Sequence, residues 1–369
     1  MNVDIAVNLL WCNPGEVGGS EEYLVRQLAG LDGLNNDVAL TLCCTSAFAR
    51  AHPELTERFA VRSPGRLGGR RPARIVAEHT WLARQTRGFD IVHHGGGTTP
   101  LIGSRPILLT VHDLQYLELP QYFSPLRLRY LRMMMPRSVA RASVVATPSE
   151  FVRGTVIDAF GIDPARVVVV PHGVAFGVAP TAEQVGDVRR RYRLGDGPYA
   201  VYPAMTHPHK NHRLLLDVMA RHWTDPTMRL VLLGGAGAAD AEVDRAIVDL
   251  ALGDRVIRPG RVPGADRDAL IAGATALVFP SRYEGFGAPL IEAMALGTPV
   301  ICGDHPALRE VAGSAAIVLP DEVDAWSGAL DEARRRRAEL IAAGRERLTH
   351  YTLEASGAAL LAAYHRTLT

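Results

Sequence analysis

Ala276-Leu277-Val278-Phe279-Pro280-Ser281-Arg282-Tyr283-Glu284-Gly285-Phe286-Gly287-Ala288-Pro289-Leu290-Ile291-Glu292-Ala293 carries the fold in miniature. Four apolar residues are followed by a Pro- and Gly-rich turn and then by a helical pattern, the strand–turn–helix of a parallel β/α unit. Pro289 suits the first helical turn and Gly297 the end of the short helix. Gly285 and Gly287 let backbone approach a ligand closely. First-turn amides without partners favour an anion, here a diphosphate. Glu284 stands in the loop, in reach of hydroxyl groups. Glu292 lies eight positions later on the helix, where a carboxylate can accept hydrogen bonds from a ribose diol. The plainer reading is a tight β–α turn with two surface glutamates. The agreement in spacing of two glycines, a proline and both acids favours a ligand site.

Outward from this stretch the same alternation runs along the chain. Strands are predicted near 3–9, 38–43, 90–93, 107–111, 143–146 and 167–170, with helices near 20–30, 73–87, 126–141 and 149–159. A second series has strands near 199–203, 229–233, 255–258, 276–279, 299–301 and 315–318, with helices near 211–222, 239–252, 266–272, 289–296 and 322–342. Two α/β, Rossmann-like parallel-sheet domains are expected, 1–175 and 176–352. Gly and Pro recur between about Gly173 and Ala182. A last helix, 353–366, has no following strand and is expected to pack back on the first domain. The length of 369 residues suits two domains of about 100–200 residues each.

Hydrophobic residues at 47% supply two cores, and a net charge of +1 with 21% charged residues gives no reason to expect a nucleic-acid partner. Cys12, Cys43, Cys44 and Cys302 form no CxxC pair, so reduced thiols in a cytoplasmic enzyme are expected, with no zinc site. The N-terminal segment enters a strand pattern directly, without a basic and then apolar leader. Arg62, Arg66, Arg70, Arg71 and Arg74, among glycines and prolines, read as solvated surface or as a loop for an anionic acceptor or lipid head groups, hence a peripheral membrane contact. The run Arg334 to Arg337 reads as solvated surface.

Three further segments carry chemistry. Tyr202-Pro203-Ala204-Met205-Thr206-His207-Pro208-His209-Lys210-Asn211-His212 follows the first strand of the second series, and a lysine at such a loop–helix junction can neutralise phosphate. Thr110-Val111-His112-Asp113 ends a first-domain strand, the end at which open α/β sheets hold ligands; Asp113 either orients His112 or caps the next turn. Gly18-Gly19-Ser20 opens the first helix. Gly234-Gly235-Ala236-Gly237 is a poor dinucleotide fingerprint, with no acidic residue following in the expected strand context, and reads as a turn near the nucleotide. His93 and His94 are adjacent on a strand and point to opposite faces, so one ion is not easily shared between them. No DxD-like pair marks a metal, and none is assigned.

Taken together, these segments resemble retaining glycosyltransferases of the GT-B class, family 4 (glycosyltransferase group 1). The likeness runs in order along nearly the whole chain, and the Glu284–Glu292 spacing matches the family's E-x7-E motif. The resemblance implies two domains facing across a cleft that takes a nucleotide-diphosphate sugar. It places Glu284 by the donor sugar, Glu292 by the ribose, and Gly285, Phe286, Gly287 and Leu290 by the phosphates, with Pro289 limited to packing and its carbonyl. Lys210 takes the role of the family's diphosphate-binding lysine, and His112 that of its sugar-contacting histidine. Gly18 and Gly19 match a glycine loop near the phosphates and acceptor, and Val262, after Gly260-Arg261, offers backbone to the base. Many members carry an arginine five or six residues before the lysine; here those positions hold Met205 and Ala204. His207, His209 and Thr206 are the substitutes considered.

The implied reaction is metal-independent transfer of a hexosyl group to an acceptor hydroxyl with retention, by front-face attack and without an enzymatic nucleophile or cofactor. The stretch His112 to Gln115, with Pro208 to His212, looks most like mannosyltransferase-type members, hence GDP-mannose; UDP sugars stay open. The acceptor is a sugar, a lipid-linked sugar or another small molecule. The competing readings are a nucleotide-sugar epimerase on a related scaffold and a non-catalytic sugar-nucleotide-binding protein.

Overall fold

The computed structural model describes residues 3–15, 18–65, 71–103, 106–175 and 179–369. The chain divides into two compact units, residues 1–175 with 351–369, and residues 176–350. Arg66 and Arg70 lie outside the described residues.

The first unit is built on a seven-stranded sheet: β1 (Val3–Asn8), β2 (Val38–Cys43), β3 (Ala60–Arg62), β4 (Ile91–His94), β5 (Ile107–Thr110), β6 (Val144–Thr147) and β7 (Val167–Val169). Their order is β3-β2-β1-β4-β5-β6-β7, every pair parallel. β4, β5 and β6 are buried at every residue, as strands covered on both faces are; β5 and β6 are accordingly almost wholly apolar, whereas β4 ends in His93 and His94. β3 was not expected from the sequence. It is a three-residue edge strand exposed throughout, so it carries no inward-facing apolar signature. Arg62 lays its guanidinium over Phe89, 5.0 Å from the ring centroid, and Arg74 donates to the Trp11 carbonyl at 3.2 Å; both are occupied within the fold.

Helix Leu353–Leu368 completes this unit. It lies so close to helix Gly19–Asp32 that a Cβ on Gly30 would stand 1.9 Å from the Leu353 carbonyl oxygen, and one on Gly357 2.3 Å from the Gly30 carbonyl carbon. Its Tyr364, fully buried, meets His93 Nδ1 through its hydroxyl at 2.9 Å, while His93 Nε2 meets Thr110 Oγ1 at 2.8 Å. His94 instead meets the Asn8 amide at 3.2 Å. The two histidines have separate sets of partners, as strand alternation requires.

The second unit holds β8 (Tyr199–Pro203), β9 (Arg229–Leu233), β10 (Val256–Gly260), β11 (Ala276–Phe279), β12 (Val300–Gly303) and β13 (Ala316–Leu319). The order is β10-β9-β8-β11-β12-β13, again wholly parallel. This is the doubly wound arrangement, reversing direction between β8 and β11. A helix, Ala182–Arg191, precedes β8 with a complete capping box from Thr181 and Gln184; its buried face reduces to Val188, too thin a stripe to read in sequence. The single helix expected over 322–342 is instead a short 3-10 turn, Val323–Trp326, and two helices, Ala329–Arg335 and Arg337–Leu348. The break falls at Arg336 (φ −95°, ψ 11°). Its guanidinium is held by Glu332 and Glu339 at 2.7 Å, and Arg334 pairs with Asp331, so part of the arginine run is an ion-paired surface. The four cysteines are buried and free, and burial pushes the thiols of Cys12, Cys43 and Cys302 up to about 12. Among the described residues no helix is long and apolar enough to cross a membrane.

Candidate active site

In an open parallel sheet, the carboxyl ends of the strands flanking a reversal of order are where ligands are held. In the second unit these are β8 and β11. After β8 the chain makes a 3-10 turn, Pro208–Lys210, and Asn211 then takes a left-handed conformation (φ 56°, ψ 41°) to start helix His212–Arg221. Asparagine tolerates that conformation better than most residues, and its amide donates to Asp321 at 2.7 Å. The buried Tyr202 hydroxyl donates to the Lys210 carbonyl at 2.7 Å. From the loop after β11, the Arg282 amide (2.8 Å) and the Ser281 hydroxyl (3.3 Å) both donate to the His209 carbonyl. These bonds stitch the two loops together.

The consequence is an ion pair between residues far apart in sequence. Lys210 Nζ stands 2.6 Å from Glu284 Oε1, with the two side chains 19% and 12% exposed. The ammonium also sits 5.6 Å from the centroid of the Phe279 ring, a face that attracts cations. Burial, and then Lys210, push the His209 imidazole down to about 4, so His209 is neutral at physiological pH and does not replace the absent arginine as a cation. His207 and His209 stack, centroids 5.7 Å apart and nearly coplanar at 11°. His305, which sequence reasoning passed over, packs edge-on to Tyr283 at 5.5 Å; burial lowers its pKa.

Gly287 caps helix Ala288–Ala295 at φ 98°, and a Cβ there would lie 2.5 Å from Leu308 Cδ2. The left-handed backbone favours glycine there, and any side chain would also have to displace the tip of Leu308. Phe286 and Leu290 are buried. The Leu290 amide donates to the Gly287 carbonyl at 3.0 Å, which corrects the expectation that every first-turn amide is unpaired. Glu292 sits half-buried on this helix.

At the ends of β9 and β10 a second layer assembles. Thr206 Oγ1 accepts from the Gly237 amide at 2.8 Å and donates to Asp240 Oδ1 at 2.7 Å, while its carbonyl takes the Ala239 amide at 2.8 Å. Thr206 therefore pins the glycine turn and is not free to bind phosphate in place of the absent arginine. The Thr206 hydroxyl, and then Arg258, hold the Asp240 carboxyl below the usual carboxylate range. Gly260 ends β10 at φ 73°, and its carbonyl takes the Gly234 amide at 3.1 Å. Val262 follows, half-buried.

The remaining candidates belong to the first unit. His112 follows β5, and its Nε2 donates to the Gly95 carbonyl at 2.8 Å. That bond leaves Nδ1 as the acceptor of the ring. Trp11 and Tyr23 flank it at 5.7 and 5.3 Å, and burial pushes its pKa down to about 4. Asp113 accepts from the Gln115 amide at 2.9 Å, so it caps the turn. Gly18 precedes helix Gly19–Asp32 at φ 63°, and no atom lies within 4 Å of where a Cβ on Gly18 or Gly19 would stand. Among the described residues no group of three or more His, Cys, Asp or Glu is placed to hold a metal ion.

Residues 187–347 match the model of glycosyl transferases group 1, and residues 17–176 that of glycosyltransferase family 4. The chain is 31% identical to the O-antigen chain mannosyltransferase B of Escherichia coli over 286 residues, 76% of this chain and 71% of that protein. It is 30% identical to the O-antigen chain mannosyltransferase RfbU of Salmonella typhimurium over 240 residues, 64% of this chain and 62% of that protein. In fold it is similar to Anabaena HepE, solved with UDP and glucose, with a TM-score of 0.78 at 18% identity over 99% of this chain and 100% of that one.

Proposed function

The chain belongs to the group 1, family 4 glycosyltransferases of GT-B fold, and from that premise we propose that it transfers a mannosyl group from a nucleotide-diphosphate sugar, GDP-mannose, to an acceptor hydroxyl, with retention and without a metal. The observation that carries the donor site is the Lys210–Glu284 pair at 2.6 Å, beside the Gly285–Gly287 turn that starts the Glu292 helix. One residue in it suits phosphate and the other suits sugar hydroxyls. The mannosyl choice rests on the names of the two O-antigen relatives.

In the proposed reaction the bond from the anomeric carbon to the diphosphate oxygen breaks, and a bond to the acceptor oxygen forms on the same face. The acceptor proton passes to the leaving phosphate oxygen. Lys210 and the turn amides stabilise the charge that develops on that oxygen, Glu284 and His112 contact the transferred sugar, and Glu292 holds the ribose. Gly18 and Gly19 are assigned to the phosphate and acceptor side, and Val262 to the base. A neutral His112 suits hydrogen bonding to a hydroxyl rather than pairing with phosphate.

The test is calorimetric titration with GDP and UDP, followed by donor turnover in the presence of EDTA. GDP should bind more tightly than UDP, and GDP-mannose should release GDP after chelation. Lys210→Ala should lose about 1.5–3 kcal/mol of nucleotide-diphosphate affinity, the scale of a charged hydrogen bond. Equal affinities in Lys210→Ala and parent would refute the phosphate role. Complete loss of turnover on chelation, restored by a divalent ion, would refute metal independence.

A further inference from the structure

The cations around the carboxyl end of the second sheet share a feature. Lys210 is paired with Glu284, Arg258 with Asp240 and Asp244, Arg267 with Asp268, Arg282 with Asp321 and Arg309 with Asp304. Arg261 differs: it is exposed, and among the described residues no hydrogen bond, ion pair or ring contact engages it. Its position is not that of a stray surface side chain. It follows the last residue of β10, and its Nε lies 3.5 Å from where a Cβ on Gly235 would stand, with Met205 Cε 4.0 Å from the same point. Residues following β8, β9 and β10 thus converge on one spot.

Glycine shapes that spot. Gly234 has φ 145°, and a Cβ on it would stand 2.4 Å from the Ala204 carbonyl oxygen; one on Gly237 would stand 2.5 Å from that of Thr206. The turn therefore lies directly on the 204–206 backbone, and Gly235 puts no side chain beneath the guanidinium. Met205 is in the loop that, five residues on, carries Lys210. A diphosphate brings more negative charge than one lysine, already shared with a carboxylate, offsets. His209 is neutral and Thr206 is committed to Asp240 and Gly237, as described above.

Resting on the donor reading given above, we propose that Arg261 is the second cation of the donor site. It reaches the diphosphate from the end of β10, while Lys210 reaches it from the loop after β8. A guanidinium presents two parallel N–H groups to phosphate oxygens, and an unpaired one gives up no internal ion pair on binding.

The experiment is calorimetry on the full chain with GDP and with guanosine, at fixed ionic strength. It compares the parent, Arg261→Ala, Arg261→Lys, and Arg261→Ala combined with Met205→Arg. Arg261→Ala should weaken GDP binding about 10- to 100-fold, the scale for a charge-assisted contact, and leave guanosine binding unchanged. Arg261→Lys should recover part of the loss. Met205→Arg should recover more, because it returns a guanidinium to the same spot. Undiminished GDP binding in Arg261→Ala overturns the inference and leaves the donor reading standing. An equal proportional loss for guanosine also overturns it, by placing Arg261 on the base. A parent protein that binds no nucleotide diphosphate overturns the donor reading and this inference with it.

Discussion

Replacing Glu284 by Gln should tighten nucleotide-diphosphate binding while slowing sugar transfer, two effects of opposite sign from one neutralised carboxylate. The first follows from the pairing with Lys210 at 2.6 Å. An incoming diphosphate must share that ammonium with a carboxylate whose side chain is only 12% exposed. For a phosphate oxygen about 6 Å from the carboxylate, at an effective dielectric near 40, the repulsion is about 1.4 kcal/mol per unit charge. Glutamine keeps the shape and a carbonyl acceptor for Lys210 but removes the repulsion. The expected gain is about 1.4 kcal/mol, roughly a tenfold lower Kd, shrinking as salt is added. The second effect follows from the proposed contact with the transferred sugar. Contacts to the sugar that strengthen in the transition state appear in kcat rather than in the affinity for a nucleotide that lacks the sugar. Turnover should fall by at least about tenfold. The assay pairs low-salt calorimetry with GDP and single-turnover transfer from the nucleotide sugar. GDP binding ten times weaker in Glu284→Gln would mean that the carboxylate positions Lys210 for phosphate, and the reasoning would fail. Unchanged turnover would remove Glu284 from the sugar.

Glu292→Gln should behave differently, weakening GDP and the nucleotide sugar by the same factor, about 1–2 kcal/mol, in paired titrations; a loss confined to the sugar nucleotide would displace Glu292 from the ribose. Stability should depend on pH through buried histidines. Burial pushes His93 and His94 down to about 3 and His112 to about 4, below the roughly 6.5 of an unfolded chain. The unfolded state then binds more protons as pH falls, so this stabilisation is complete above about pH 6.5 and is lost as pH drops toward 4. Melting temperatures from scanning calorimetry should be level above about pH 7 and decline below 6.5; a level profile from 7 to 5 contradicts the assignment. Gly357→Ala should force helix Leu353–Leu368 away from helix Gly19–Asp32, because the new Cβ meets only backbone, at 2.3, 2.4 and 2.7 Å. A loss of about 1–3 kcal/mol is expected from such overpacking, read as a lower denaturant midpoint, and an unchanged midpoint would show that the helices are not held in contact.

The twelve strands expected from the sequence all form; the most deeply buried, β5, β6 and β11, are visible as short apolar runs because cover on both faces demands it. Elements without that demand were missed. β3 is exposed at all three residues, and helix Ala182–Arg191 buries only Val188. The 322–342 stretch reads as continuous because its composition is largely helical; the structure breaks it at Arg336, whose ion pairs with Glu332 and Glu339 are local, one turn away on either side. Within the candidate site, glycine roles were legible for the same kind of reason. Gly287 is favoured by a left-handed backbone at φ 98°, and a side chain there would also have to push aside the tip of Leu308.

Charge was harder to read, and the reason is general. A sequence shows which residues carry charge but not which charges meet. Lys210 and Glu284, 74 positions apart, were each assigned to a different part of the donor, yet they face each other. Each therefore controls how strongly the other can act on a ligand. The same gap hid Arg261. In sequence it is one of many arginines, and the glycine before it drew attention to Val262 instead. In the fold, β10 shifts register between Ile257 and Gly260, and Gly260 turns the chain at φ 73°, so the side chain that follows comes to lie over the Gly235 turn beside Met205. The arginine expected before Lys210 is absent from the chain at that position, and the second cation proposed in its place comes from a strand two places away in the sheet. Whether a site has its second cation is thus a property of strand order and register, and a motif read along one segment has no access to either.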